Sequence, residues 1–155
     1  MRIYALKYGQ KIKYYIIGIL VSCCLSSVAQ DSTLVVIGNA SSVPSDISMK
    51  ELKAVFRGER QRWRDGNKVV IAMIKSTTPL GQLISEKIYS MSGDEVRGFW
   101  AGISFAGKFD PPNVFNTTSE VETFVSQNPG TIAILNKANS TPDVKTLLVG
   151  GKKSF

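Results

Sequence analysis

The chain has 155 residues, with 19 Lys+Arg against 12 Asp+Glu, a formal charge of +7, two cysteines and no histidine. The missing histidine removes the usual general base, the commonest metal ligand and the Ser-His-Asp hydrolase triads. The length suffices for one domain with one core.

Part of the positive charge belongs to the start of the chain. "MRIYALKYGQKIK" supplies Arg2, Lys7, Lys11 and Lys13 with no acid, "YYIIGILVSCCL" follows, and "SSVAQ" closes the run. A basic segment, an apolar core and a Ser-x-Ala site at Ser27 and Ala29 predict a secretory signal peptide over residues 1–29. The apolar run falls short of the roughly 20 residues that a membrane span needs. "LVSC", Leu20 to Cys23, also resembles a bacterial lipobox, so a lipoprotein anchored at Cys23 is the alternative processing product. The expected product is a periplasmic or secreted domain, residues 30–155, with no membrane span. Removing 29 of 155 residues leaves 126; four of the 19 basic residues go, leaving 15 against 12 and a charge of +3. Cys23 and Cys24 go as well, and with them disulfide and thiol chemistry.

Along the remaining chain, "TLVVIG" (33–38) is a β-branched apolar run ended by glycine and predicts a buried parallel strand. "NASSVPSD" is loop. Ser48 and Glu51 then form a capping box, with Leu52, Val55 and Phe56 on one helix face that stops at Gly58. "KVVIAMI" (68–74) predicts a strand covered on both faces. In "STTPLGQLISEKIYSM", Pro79 suits a first helical turn, and Leu80, Leu83, Ile84, Ile88 and Met91 recur at helical spacing. Ser92 and Glu95 begin another helix, with Val96, Phe99, Trp100 and Ile103 inward. Residues 104–117, containing Gly107, Pro111 and Pro112, read as irregular. "TSEVETFVSQNPG" predicts a helix with Val121, Phe124 and Val125 inward, and "TIAIL" (131–135) and "KTLLVG" (145–150) predict two more strands. Strands alternating with helices in this way predict an α/β fold with one sheet.

The basic stretch "LKAVFRGERQRWRDGNKVV" places Arg57, Arg60, Arg62 and Arg64 around Trp63, between a helix and a buried strand. Glu59 and Asp65 interrupt it, whereas a nucleic-acid surface wants a longer stripe of one sign or aromatics repeated on a strand face. It reads as a loop with Trp63 packed over a core edge and Asp65-Gly66 turning into the strand. No nucleic-acid partner is expected.

The same residues resemble a family. Leu52, Val55, Phe56 and Gly58, followed by Trp63, Asp65 and Gly66, match a segment of the phosphate-binding proteins of bacterial ABC importers. Trp100, Phe105, Gly107, the Pro111-Pro112 pair and Pro129-Gly130 continue the likeness, which covers roughly residues 33–150. The resemblance implies a type II periplasmic-binding-protein fold: one lobe, with a mixed, mostly parallel sheet flanked by helices. Full-length members have two lobes closing over the anion and are about twice this size; this chain resembles the short single-domain members. The family's Arg and Ser-Gly-Thr after the second strand are replaced here by "KSTTPLG", Lys75 to Gly81.

That segment is of interest on physical grounds too. A Ser/Thr cluster between the C-terminal end of a strand and a helix start offers hydroxyls and backbone N–H groups at the positive end of the helix dipole. Ser76, Thr77 and Thr78 are the candidate anion ligands, with Lys75 or a nearby arginine as the counter-charge; the competing reading is that Thr77 or Thr78 only caps the helix. Ser41 and Ser42, with Asn39, follow the first strand and are expected to line the same crevice. No paired-carboxylate or nucleophile–base spacing stands out, so no catalytic residue, cofactor or metal site is expected. The reading is an exported, non-enzymatic solute-binding domain for phosphate or a similar small oxyanion. The alternative is a docking module that kept the lobe for an envelope partner such as a transporter, porin or sensor. Intact-mass measurement of the exported protein is expected to show a chain beginning at Gln30; an acylated mass beginning at Cys23 would show that the lipobox is used.

Overall fold

A computed structural model describes residues 33–107, 109–138 and 141–155; the processing sites read at Ala29 and Cys23 lie outside them. Six strands form one sheet in the order β2-β6-β1-β5-β3-β4. They are β1 (Val35–Asn39), β2 (Asp46–Ile47), β3 (Val70–Ile74), β4 (Asn113–Phe115), β5 (Thr131–Leu135) and β6 (Val144–Val149). Three of the five pairings are parallel: β2 with β6, β3 with β4 and β3 with β5. The first strand, read as parallel, is antiparallel to both its neighbours, β5 and β6. An apolar β-branched run reports burial on two faces, and burial is the same for either direction of pairing. Register then fixes the ends: Gly38 and Ile71 both lie opposite Ile132, so the C-terminal end of β1 shares a sheet edge with the N-terminal end of β3.

Alternation along the strands divides the core in two. Val36, Ile71, Met73, Ile132, Ile134 and Leu147 join one cluster, with Leu52, Val55, Phe56, Ile88, Tyr89 and Trp100 from helical segments. Ile37, Ala72, Ile74, Ala133 and Leu135 join the other, with Val121 and Val125. The sheet therefore carries helices on both faces. On the first lie α1 (Met49–Phe56), α2 (Pro79–Ile84) with a π-helical turn at Ser85–Tyr89, and α3 (Gly93–Phe105); on the second lies α4 (Thr118–Gln127).

The helix starts follow the local chemistry. Ser48 and Ser92 cap α1 and α3 in full capping boxes, and Thr117 with Glu120 forms a third at α4. Hydrogen bonds from the backbone N–H groups of the cap residues hold Glu51, Glu95 and Glu120 below the ordinary glutamate pKa. The single helix expected from Pro79 to Met91 instead widens after Ile84 into the π turn, which ends at Ser90 with φ 58°. The wide turn brings the consecutive residues Ile88 and Tyr89 both into the core. The stretch read as irregular, 104–117, contains the end of α3 and the edge strand β4. Three residues are too few to show a period; β4 exists through its partners, with Phe115 tilted on Phe124 at 5.0 Å and accepting a hydrogen bond from the Lys75 N–H at 2.9 Å.

The arginine stretch is a loop, and its guanidiniums are used inside the fold. Arg57 donates to the Tyr89 carbonyl at 3.2 Å and Arg62 to the Gly66 carbonyl at 2.8 Å. Arg60 and Arg64 share Glu51 at 2.7 and 3.3 Å. Trp63 is buried, and its indole N–H donates to the Gly130 carbonyl at 2.9 Å. Gly130 sits at φ 79°, and a Cβ there would collide with the Lys68 carbonyl. Among the described residues no helix is long and apolar enough to cross a membrane.

Trp100 is 6% exposed and Phe105, one and a half turns on in the same helix, is 93% exposed. Trp100→Ala is expected to cost about 3–5 kcal/mol in denaturant unfolding, while Phe105→Ala stays within about 0.5 kcal/mol of wild type.

Candidate functional site

The β3–α2 turn is built by close backbone packing. β3 ends at Ile74, and Thr78 is the N-cap of α2. Its hydroxyl donates to the Lys75 carbonyl at 2.8 Å and accepts from the Gly81 N–H at 3.1 Å. Both hydroxyl functions are thus taken up by the turn, which makes Thr78 a cap. Gly81 lies against the Lys75 carbonyl and Gly93, the first residue of α3, against the Ser76 carbonyl; a Cβ at either position would collide with that backbone. These two glycines position the turn, and neither was singled out in the sequence. The available signal was glycine at the start of two helices, where it contributes nothing to propensity.

Ser76 and Thr77 remain as ligand candidates. Among the described residues the buried Ser76 hydroxyl has no partner, and the backbone N–H groups of Ser76 and Thr77 have no acceptor. Thr77 and Lys75 are exposed, and Lys75 forms no ion pair among the described residues. An open cleft of about 580 Å³ lies beside them, walled by the π turn and the start of α3. Its lining includes Glu86, Asp94 and Glu95 and no cation. Asp94 pairs with Arg97 at 2.8 Å, and Glu95 accepts from the Ser92 N–H at 2.7 Å. Glu86 is in no ion pair among the described residues. The cleft is polar, and its fixed charge is acidic.

Ser41 and Ser42 do not belong to it. Because β1 runs antiparallel to β5, and β5 parallel to β3, the segment after β1 emerges at the opposite end of the sheet from Ser76. There the side-chain oxygen of Asn39 accepts from the Ser41 and Ser42 hydroxyls at 2.7 and 3.1 Å, and its amide donates to the Val125 carbonyl at 2.9 Å. The Ser42 hydroxyl also accepts from the Gly130 N–H at 2.6 Å. This network ties β1 to the end of α4 and to the turn before β5. It borders a separate pocket of about 260 Å³ lined by Arg60 and Trp63. A shared crevice required parallel strands, and the register removes it.

The mixed sheet with helices on both faces is an α/β fold similar to that of solved substrate-binding proteins. It is similar to the ABC-type phosphate transport receptor of Vibrio cholerae at TM-score 0.55 and 15% identity, over 84% of this chain and 55% of that one. It is similar also to PstS from Borrelia burgdorferi, at TM-score 0.60 and 16% identity, over 77% of this chain and 48% of that one. A third likeness is to a protein from Clostridium perfringens described as a phosphate ABC transporter substrate-binding protein with bound phosphate. There the TM-score is 0.55 and the identity 14%, over 77% of this chain and 45% of that one. The chain spans about half the length of these proteins. No family model matches it, and neither does any curated protein.

The two threonines of the turn are expected to separate in their effects. Thr78→Ala removes a cap and is expected to cost about 1 kcal/mol of stability, whereas Thr77→Ala, at an exposed position, should leave the melting temperature unchanged. Thermal unfolding of the two variants checks this.

Proposed function

We propose that this protein is an exported, non-enzymatic solute-binding domain whose anion site is the β3–α2 turn, with phosphate or a similar small oxyanion as ligand. The observation that carries the reading is the turn itself: two unengaged N–H groups and an unpartnered hydroxyl at Ser76 and Thr77, off the end of a strand. The fold places them where the starts of α2 and α3 meet, since Gly93 packs on Ser76. Backbone N–H groups and hydroxyls at helix starts recognise oxyanions with no catalytic chemistry required. Lys75 supplies the counter-charge as a point charge in place of a guanidinium fork. The proteins it resembles include a phosphate transport receptor and one with bound phosphate, which supports phosphate as the first ligand to test.

The acidic lining sets the strength. A dianion entering a cleft that contains Glu86 meets like charge, and the open lobe leaves it in contact with water. Affinity near the millimolar level follows, about −4 kcal/mol. The same facts favour a second reading. An acidic cleft suits a docking module on an envelope transporter, porin or sensor that kept the lobe but not ligand binding. Localisation to the periplasm or beyond is part of both readings and rests on the processing signals in the first 29 residues.

Titration with phosphate, followed by amide NMR, is expected to shift Ser76, Thr77 and Leu80 first. Thr77→Ala should weaken those shifts. Glu86→Gln should tighten binding about threefold by removing one like charge across solvent. No movement of these amides at about 10 mM phosphate, a concentration well above a millimolar Kd, would leave the docking reading in front.

A further inference from the structure

The face of α3 that points away from the sheet has no partner in the described fold. Gly98, Ala101, Gly102 and Phe105 are all exposed, and their spacing of i, i+3, i+4 and i+7 places them on one stripe. Phe105 is 93% exposed, the most open large apolar side chain among the described residues. Glycine is a poor choice for an exposed helix interior, and nothing inside the fold asks for it here. A Cβ built at Gly98 or at Gly102 meets no atom within 4 Å. Close approach of a second backbone is what would make glycine useful at these two positions.

We propose that this stripe packs on the same stripe of a second copy of the chain, with the two α3 helices antiparallel around a twofold axis between Ala101 and Gly102. The pattern is self-complementary about that point. Position 98 then faces position 105, so each Phe105 sits over the partner copy's Gly98, and Ala101 and Gly102 meet at the axis. An isologous interface requires this kind of self-matching surface.

Charge supports the same orientation. The first turn of α3 carries Asp94 and Glu95, and Arg97, paired with Asp94 at 2.8 Å, leaves that start with one net negative charge. Its last turn lies beside Arg62 and Lys68, which line one open cleft with Ser104 and Gly107. Lys68 is paired with Asp110, but Arg62 has no carboxylate partner among the described residues and holds only the Gly66 carbonyl. Antiparallel pairing brings the acidic start of each helix to the basic end of the other, and it opposes the two helix dipoles favourably. Parallel pairing would set acid against acid and Phe105 against Phe105.

Sedimentation equilibrium of the purified chain tests the proposal. Wild type is expected to show a monomer–dimer equilibrium below about 500 µM, the range of a weak but specific contact. Phe105→Asp should raise the dimer Kd at least tenfold with an unchanged circular dichroism spectrum, because the side chain is not part of the core. Gly98→Ala should raise the melting temperature of the monomer while weakening the dimer, two effects that a purely structural glycine would not separate. Ala101→Cys should give an oxidised dimer beyond that of the parent chain. A wild type that remains monomeric throughout this range assigns the face to a different protein and overturns the proposal. A dimer that survives Phe105→Asp overturns it equally.

Discussion

The hydroxyl of Tyr89 lies at the meeting point of three helical segments, 1% exposed at the level of the residue. It donates to the Phe56 carbonyl at the end of α1, at 2.6 Å, and accepts from the Trp100 indole N–H of α3, at 3.1 Å. The carbonyl of the same residue accepts from Arg57 at 3.2 Å. Burial raises the phenol pKa well above the ordinary tyrosine value, so the group acts as a neutral hydrogen-bonding hub. Phe99 adds an edge-on contact at 6.0 Å to Tyr89 and another at 5.5 Å to Trp100. Without this hub the helices of one face would share only apolar contact, which sets distance but leaves rotation poorly specified.

The cleft depends on that arrangement. The π turn is what delivers Tyr89 to the hub, and its widened geometry also places Glu86 and Ser90 on the cleft wall. The other wall is the start of α3, whose orientation is fixed through Trp100 and whose first residue must be glycine to lie on Ser76. Changes in the core at Phe56 or Trp100 would therefore be felt at the Ser76 turn, although neither residue lines it. The link runs from packing to site geometry through two rigid contacts, one hydrogen-bonded and one steric.

The two ends of the sheet have different chemistry for a topological reason. At the end of β3 the backbone turns through Ser76 and Thr77 and leaves donors unengaged. At the end of β1 the corresponding polar residues, Asn39, Ser41 and Ser42, are consumed in bonds to α4 and to Gly130. Similar Ser-rich loops after apolar strands thus take opposite roles. One has a helix starting beside it and the other has to fasten a strand to a neighbouring turn.

How much of this was legible in the sequence varies with the range of the interaction. The capping boxes at Ser48 and Ser92, the apolar faces of α1, α3 and α4, the burial of Trp63 and Trp100, and the α/β class depend on neighbours within a few residues or on simple periodicity. Local chemistry determines them, and they could be read directly. Thr78 as a cap was also within reach, since Pro79 marks the helix start. The direction of β1, the strand β4 and the π turn at Ser85–Tyr89 were not, because each is decided by partners tens of residues away. Strand direction decides which residues meet: with β1 antiparallel, Ser41 and Ser42 lie at the opposite end of the sheet from Ser76 and Thr77. Hydroxyl type and spacing are properties of the chain, but which hydroxyls share a cleft is a property of the sheet, and only tertiary pairing sets it.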